Sequence, residues 1–348
     1  MSCHPQCREL NPSVAPCLEL HPIFIVGILP RSGTNFLYQL LSLHSDCQVG
    51  RVICEDFLLA HSDLIVRYAE TVQKHWDRTW AVQDRVGEPV RALCRCVGKG
   101  LISFLQLQVY DEAQAQVSGG SVVSGSKRLI TKTPSIKNLQ HFSKIFPDAH
   151  LIIIIRDGRA LVESGVKSFN WGYDETTRAW ADAARTIIQF DKDPSNGECK
   201  YLITRFEDLV HHTEGELRRI FSFLALDPSK YDFRAAANSP VIGSCETRRN
   251  GERKIDWNPI ERTQDFNPVE RASKWGRRMH ERFNWIAGDE LEQLGYLKKS
   301  ASRNRLLWNL WNIALDVKSA LRCLYEKASW SGGKTSSPVR NKLPSPGA

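Results

Sequence analysis

Residues Pro22 to Asn35 read PIFIVGILPRSGTN. From Ile23 to Ile28 the run is apolar apart from Gly27, too short for a helix and continuous rather than alternating, the pattern of a buried strand. Pro30 stops it. Arg31-Ser32-Gly33-Thr34 then supplies a tight turn, and Asn35 to His44 carries Phe36, Leu37, Leu40 and Leu41 on one helical face. Successive backbone N–H groups in such a turn, backed by the positive end of a helix dipole, form a concave anion site. Thr34 is placed to cap the helix with its hydroxyl. The magnesium-nucleotide version of this device reads GxxxxGK[ST], with a Lys for the outer phosphates and a hydroxyl for the metal. No Gly-Lys pair stands here, and an Arg opens the turn, which suits an anion gripped without a metal. The same stretch also reads as an ordinary strand-to-helix connection, so the remaining chain has to decide.

A chain of 348 residues with 42% hydrophobic and 25% charged residues is long enough for a full core and has the composition of a soluble globular protein. The net charge of +8 favours anionic ligands or surfaces. No block of like charges marks a nucleic-acid arm, and no nucleic-acid partner is expected. The ten cysteines are scattered; Cys94 and Cys96 are the nearest pair and lack the companions a zinc site needs. They read as thiols of a reducing compartment. No stretch reaches the ~20 apolar residues of a membrane span. The first residues show neither a basic nor an apolar targeting segment, so the expected location is the cytoplasm.

Beyond the first helix, Cys47 to Ile53 reads as a short strand. Glu55-Asp56 then opens an amphipathic helix bearing Phe57, Leu58, Leu64, Ile65 and Tyr68. That acidic pair has two readings, favourable electrostatics in a first helical turn or a carboxylate that takes a proton from an acceptor hydroxyl. Trp76 to Gln116 holds two helical patterns broken near Gly87-Glu88-Pro89, with Leu93, Val97, Leu101, Phe104 and Leu105 expected in the core. Ser118 to Ser126 is a Gly/Ser loop. Arg128 to Thr131 begins a strand that ends in Lys132-Thr133-Pro134, and Ser135 is placed to cap a helix from Ile136 to Phe146. Lys132 therefore lies at a strand's carboxyl end, the edge where open α/β sheets bind ligands. His150 to Ile155, HLIIII, is the strongest strand and belongs in the middle of a sheet. Arg156-Asp157-Gly158-Arg159 follows it, then a helix over Ala160 to Ser168. Arg156 and Ser164 are spaced so that a strand end and the second turn of the next helix converge on one anion. Helical Glu175 to Asp191, a strand at Lys200 to Thr204 and a helix at Glu214 to Leu224 continue the alternation of a mostly parallel sheet.

Together, PRSGT, the block KTPSIKNLQHFSKIFPDAHLIIIIRDGRALVES and RASKW at Arg271 to Trp275 resemble the sulfotransferases that use 3′-phosphoadenosine 5′-phosphosulfate (PAPS), and most of all the tyrosylprotein and carbohydrate branch. The likeness covers about Pro22 to Leu297. It implies a P-loop NTPase-like, three-layer α/β/α fold around a mostly parallel sheet. It also implies that Arg31, Ser32, Gly33, Thr34 and Asn35 hold the 5′-phosphosulfate, that Arg156 and Ser164 bind the 3′-phosphate, and that Lys274 closes over the nucleotide. Lys132 matches the lysine that polarises the sulfuryl oxygens, and Thr263 a hydroxyl beside the phosphosulfate. The chain departs from the family pattern in three ways. The catalytic glutamate comes about three residues late, as Glu55 with Asp56 as second candidate, and Arg51 and Val52 occupy its usual place. Phe206 stands where the family often has Tyr. The membrane anchor of the Golgi members is missing from the sequence, so their protein-tyrosine substrate does not carry over.

The implied reaction moves the sulfuryl group in line, without a metal, to the hydroxyl (or amine) of a carbohydrate, small molecule or peptide and releases adenosine 3′,5′-diphosphate. Arg31, Lys132 and Glu55 carry the chemistry. A P-loop kinase or other NTPase, or a non-catalytic binding protein of the same fold, are the competing readings. The domain plan is an irregular lead-in over 1–21, the sulfotransferase domain over 22–298, an amphipathic helical extension over 299–330 and a disordered tail over 331–348. Leu306 to Tyr325, LLWNLWNIALDVKSALRCLY, is helical in pattern and flanked by basic residues. It reads as a helix packing on the domain, as a dimer contact, or as an interfacial helix on a membrane.

Overall fold

The computed structural model describes residues 21–50, 53–77, 80, 87–107, 127–249, 252–260, 269–299 and 305–331. Its centre is a five-stranded sheet of β1 (Ile23–Gly27), β2 (Cys47–Val49), β3 (Arg128–Thr133), β4 (His150–Ile155) and β5 (Lys200–Arg205), in the order β2-β3-β1-β4-β5. Every pairing is parallel; Val26 stands opposite Thr133 on one side of β1 and Ile153 on the other. Parallel neighbours need crossovers, and helices fill them on both faces. All residues of β1 and β4 are consequently buried. Phe24, Val26, Leu151, Ile153 and Ile155 pack into one core, and Ile23, Ile25, Ile152 and Ile154 into the other, as strand alternation requires.

The first core is covered by α2 (Ser62–Gln73), α3 (Pro89–Leu107), the one-turn α4 (Phe142–Ile145), α5 (Gly158–Phe169), α6 (Tyr173–Lys192) and, from the far end of the domain, α10 (Arg277–Gln293). The second is covered by α1 (Thr34–Ser42), α7 (Phe206–His211), α8 (Thr213–Leu224) and α9 (Phe233–Asn238). The architecture is the expected three-layer α/β fold. An antiparallel hairpin, β6 (Val241–Arg249) with β7 (Glu252–Ile260), lies outside the main sheet and was not expected. Its polar, Arg-rich sequence lacks the apolar alternation that marks a half-buried strand.

Several local expectations are corrected. Thr34 does not cap α1; the N-cap is Gly33 in a left-handed conformation, with no side-chain cap, and Thr34 is the first helical residue. The strand after α1 stops at Val49 instead of running to Ile53. Glu55 and Asp56 do not open a helix, because α2 starts only at Ser62 after a 3-10 turn at Leu59–His61. Asp56 N–H donates to the Lys132 carbonyl at 3.1 Å, and the Asp56 carboxylate takes Thr131, Thr133 and the Leu58 N–H. Those bonds hold the segment against the tip of β3, so the helix-dipole reading of the acidic pair does not apply.

The expected helix from Ile136 to Phe146 is broken at Asn138, which adopts φ 62° and donates to Ala60 O and Asp63 Oδ1. A 3-10 turn at Leu139–His141 and α4 replace it; Ser135 Oγ accepts from Lys137 N–H at 3.2 Å instead of capping a helix. Phe104 is exposed rather than in the core, whereas Leu105 is buried. The lead-in before His21, the Ser118–Ser126 loop, Arg51, Val52, Thr263 and the tail beyond Ser331 lie outside the described residues.

The C-terminal helix α11 (Arg305–Ser331) is longer than the expected span and docks by its polar side. Buried Arg282 of α10 donates to Asp174 of α6 at 2.9 Å, to Asp316 at 2.7 Å and to Asn312 at 3.2 Å. Asp316 also accepts from Arg178 at 2.6 Å and from Trp285 Nε1 at 2.9 Å. Among the described residues no helix is long and apolar enough to cross a membrane.

Candidate active site

Three neighbouring strand tips, those of β3, β1 and β4, carry the residues singled out above. Behind β1 the chain leaves the sheet at Ile28, whose N–H donates to Ile154 O at 3.0 Å, and folds back at Ser32, whose N–H donates to Leu29 O at 3.2 Å. Gly33 has φ 104°, and a Cβ there would sit 2.3 Å from a Phe206 ring carbon. A Cβ on Gly27 would sit 2.2 Å from Ser32 Oγ. Small residues are thus required at both places for the turn to close. The Ser32 hydroxyl is fully buried and has no hydrogen-bond partner among the described residues. A buried polar atom left over in a turn whose N–H groups start α1 fits an anion. Thr34 and Asn35 form the first turn of that helix.

The tip of β4 meets this turn. Arg156 is buried, its Nη1 donates to the Arg31 carbonyl at 2.6 Å, and its guanidinium lies 4.5 Å from the centre of the Phe206 ring. Arg31 Nε donates to Ser164 Oγ at 3.1 Å, and its guanidinium lies 5.5 Å from the Phe169 ring. Burial, then the neighbouring Arg271 guanidinium, pulls Arg156 down to about 9, so it keeps its charge at neutral pH. Asp157 caps α5 by accepting from Arg159 N–H at 2.9 Å. Behind it Glu207 accepts from Asp157 N–H at 2.9 Å and from Tyr296 at 3.0 Å; burial pushes its carboxyl up. The Phe206 ring presents its face to the Arg156 guanidinium and also lies where a Cβ on Gly33 would meet it.

At the tip of β3, Lys132 Nζ lies 3.4 Å from Glu55 Oε1, and both are mostly buried. Burial lowers the lysine while Glu55 opposes the shift; burial raises the carboxyl of Glu55 while Lys132 opposes it. Asp56 is raised by burial too, against hydrogen bonds from Thr131, Leu58 and Thr133. Asp56 Oδ2 accepts from Thr131 at 2.5 Å, and Oδ1 from Leu58 N–H at 2.7 Å and Thr133 at 3.0 Å. With both oxygens engaged, Asp56 pins the segment, and Glu55 is the carboxylate that faces the lysine.

Lys274 is exposed on the turn over Arg271 to Lys274, and Thr263 is outside the described residues. The turn is tied down by Trp275, whose Nε1 donates to Glu163 Oε2 at 2.8 Å. Tyr173 donates to the same oxygen at 2.6 Å, and Lys167 pairs with Glu163 Oε1 at 2.7 Å. Glu163 precedes Ser164, so the turn bearing Lys274 and Arg271 is fastened next to the serine that Arg31 grips. Glu163, Glu207 and Arg271 were not singled out in the sequence; an acid buried after a strand or inside a helix has no spacing signature of its own.

The model of the sulfotransferase family matches residues 22–230. The chain is 24% identical over 243 residues to protein-tyrosine sulfotransferase A of Caenorhabditis elegans, covering 68% of this chain and 57% of the relative. It is 24% identical over 211 residues to protein-tyrosine sulfotransferase 1 of Danio rerio, covering 58% and 53%. The chain thus spans about half the length of these curated relatives. Among solved structures, the sulfotransferase domain from the curacin biosynthetic pathway is 17% identical, covers 80% of this chain and 98% of its own, and has a TM-score of 0.43. With a family match over most of its sheet and over both clusters at the strand tips, the chain belongs to the sulfotransferase family.

Proposed function

We propose that the chain transfers the sulfuryl group of PAPS to a hydroxyl or amine acceptor on a carbohydrate, small molecule or peptide, releasing adenosine 3′,5′-diphosphate. The observation that carries this reading is the linkage of Arg31, Ser164 and Arg156 into one contact chain at the tips of β1 and β4, beside the Lys132–Glu55 pair of β3. One end suits a phosphate, the other a reacting centre. The donor nucleotide would be held by the turn over Arg31 to Asn35, by Arg156 and Ser164, by the face of Phe206, and by Lys274 from the far turn.

In the reaction the sulfur–oxygen bond to the 5′-phosphate breaks as the bond to the acceptor oxygen forms. Charge builds on the leaving phosphate oxygen, and Arg31, Lys132 and the N–H groups of the turn supply fixed positive potential there. Glu55 takes the acceptor proton; burial raises its carboxyl, and its partner Lys132 opposes that shift. The reading uses no metal, in keeping with a turn that lacks the Lys-Ser/Thr pair. A kinase reading is not favoured, because the matching family model is that of the sulfotransferases and the turn has no Gly-Lys pair.

The test is calorimetric titration with adenosine 3′,5′-diphosphate and with ATP plus magnesium, followed by transfer of labelled sulfate from PAPS to an acceptor panel. Binding of the diphosphate with transfer supports the reading. Tighter binding of magnesium-ATP would replace it with a kinase, and binding without transfer to any acceptor with a binding protein.

A further inference from the structure

The fold attaches α11 by the side that sequence patterning leaves polar. Asn312 and Asp316 face the domain and engage Arg282, Arg178 and Trp285. The opposite side is a continuous apolar stripe of Leu306, Leu310, Ile313, Val317, Leu321 and Leu324, between 48% and 80% exposed. These residues recur at helical spacing over about 27 Å of axis. A stripe of that length on a single exposed helix is larger than scattered surface leucines and marks a contact. Arg305 and Lys318 on the same helix are exposed. Trp308 and Trp311, in T-shaped contact at 5.4 Å, are partly buried on the side turned to the domain, with the Arg277 guanidinium 5.8 Å from the Trp308 ring. Among the described side chains of α11 the one acid is Asp316, and it is turned inward to its arginine partners.

We propose that α11 lies on an anionic membrane surface, apolar stripe immersed and basic residues among the headgroups. Charge decides the occupant. A second copy docking stripe to stripe would bring together two helices that each carry exposed Arg305 and Lys318, with no exposed acid among the described side chains of the helix to receive them. Acidic lipid headgroups receive them directly. The helix does not span, so attachment is peripheral and reversible, and it leaves the strand tips with the domain.

The experiment uses the full chain and vesicles of phosphatidylcholine with or without phosphatidylserine, read by co-sedimentation. The wild type is expected to sediment with the anionic vesicles, less so at high salt, and to stay in solution with the neutral ones. Leu310→Glu with Val317→Glu, both solvent-facing, is expected to weaken sedimentation at least about ten-fold with the thermal midpoint unchanged. Sedimentation of the variant equal to the wild type, no sedimentation of either, or equal sedimentation with neutral vesicles would overturn the proposal. So would a wild-type dimer in light scattering that the same substitutions dissolve, which would assign the stripe to a second copy. None of these readouts depends on the nucleotide assignment.

Discussion

Arg31 Nε donates a 3.1 Å hydrogen bond to Ser164 Oγ across 133 residues of sequence. The bond joins the turn after β1 to the helix after β4, and Arg156 closes the loop by donating to the Arg31 carbonyl. Burial, Arg271 and Arg31 all disfavour the charged form of Arg156, with Glu207 and Asp157 opposing them, so a further anion beside the pair would be stabilising.

Arg156→Ala and Arg31→Ala should each weaken adenosine 3′,5′-diphosphate binding by roughly 10- to 100-fold, the worth of a charged hydrogen bond or two. Isothermal titration measures it. An affinity unchanged in both variants would remove the phosphate assignment of this cluster.

Glu55→Gln should leave diphosphate binding intact and lower turnover by about 10²- to 10⁴-fold, the usual contribution of a general base. The pH profile gives a second check. A base works only when ionised, and burial raises the Glu55 carboxyl above its ordinary value even with Lys132 opposing. The wild-type rate should therefore rise with pH along a limb displaced upward from the ordinary glutamate range, and the variant should lack that limb.

Asp56 answers a different question, because its bonds are structural. Asp56→Ala strips the Thr131 and Thr133 hydroxyls and the Leu58 N–H of their acceptor and should cost about 2–4 kcal/mol in urea unfolding. Asp56→Asn tests the charge. The folded carboxyl is raised, so the native state holds the proton more tightly than the unfolded chain. Its contribution to stability is fully present below the ordinary aspartate range and is lost as pH rises through the raised value. The Asn variant should show a flatter stability profile in that window.

Gly33→Ala would force a side chain into φ 104° and against the Phe206 ring. The expected loss is about 2–4 kcal/mol, from backbone strain and overpacking together. Adding Phe206→Leu should recover the overpacking part only, so the two substitutions should couple in a double-mutant cycle read by chemical denaturation. Strict additivity would show that the ring and the turn are not in contact.

The parallel sheet was legible because β1 and β4 are buried on both faces and read as uninterrupted apolar runs. The turn after β1 was legible as a tight strand-to-helix connection because Pro30 and Gly33 stand between an apolar run and a helical one. What failed was the conformation of Glu55-Asp56, the break at Asn138 and the cap of α1. Each of these goes with a long-range contact: hydrogen bonds of Asp56 with Thr131 and Thr133 and of Asn138 with Ala60 and Asp63, and the close approach of the Phe206 ring to Gly33. Local propensity has no access to such partners. Glu163 and Glu207 escaped notice for the same reason, since their function is to receive Trp275, Tyr173, Tyr296 and a backbone N–H from other elements.

By itself the sequence determined the alternation of strand and helix, the identity of the turn residues and the positions of the cations, because apolar periodicity and turn chemistry act over neighbouring residues. Tertiary structure alone decided which carboxylate faces Lys132 and which side of α11 meets the domain. Both depend on hydrogen bonds and ion pairs closed between segments far apart in the chain, such as Asp56 with Thr131 and Asp316 with Arg282. Those contacts exist only once the sheet order has brought the partners together.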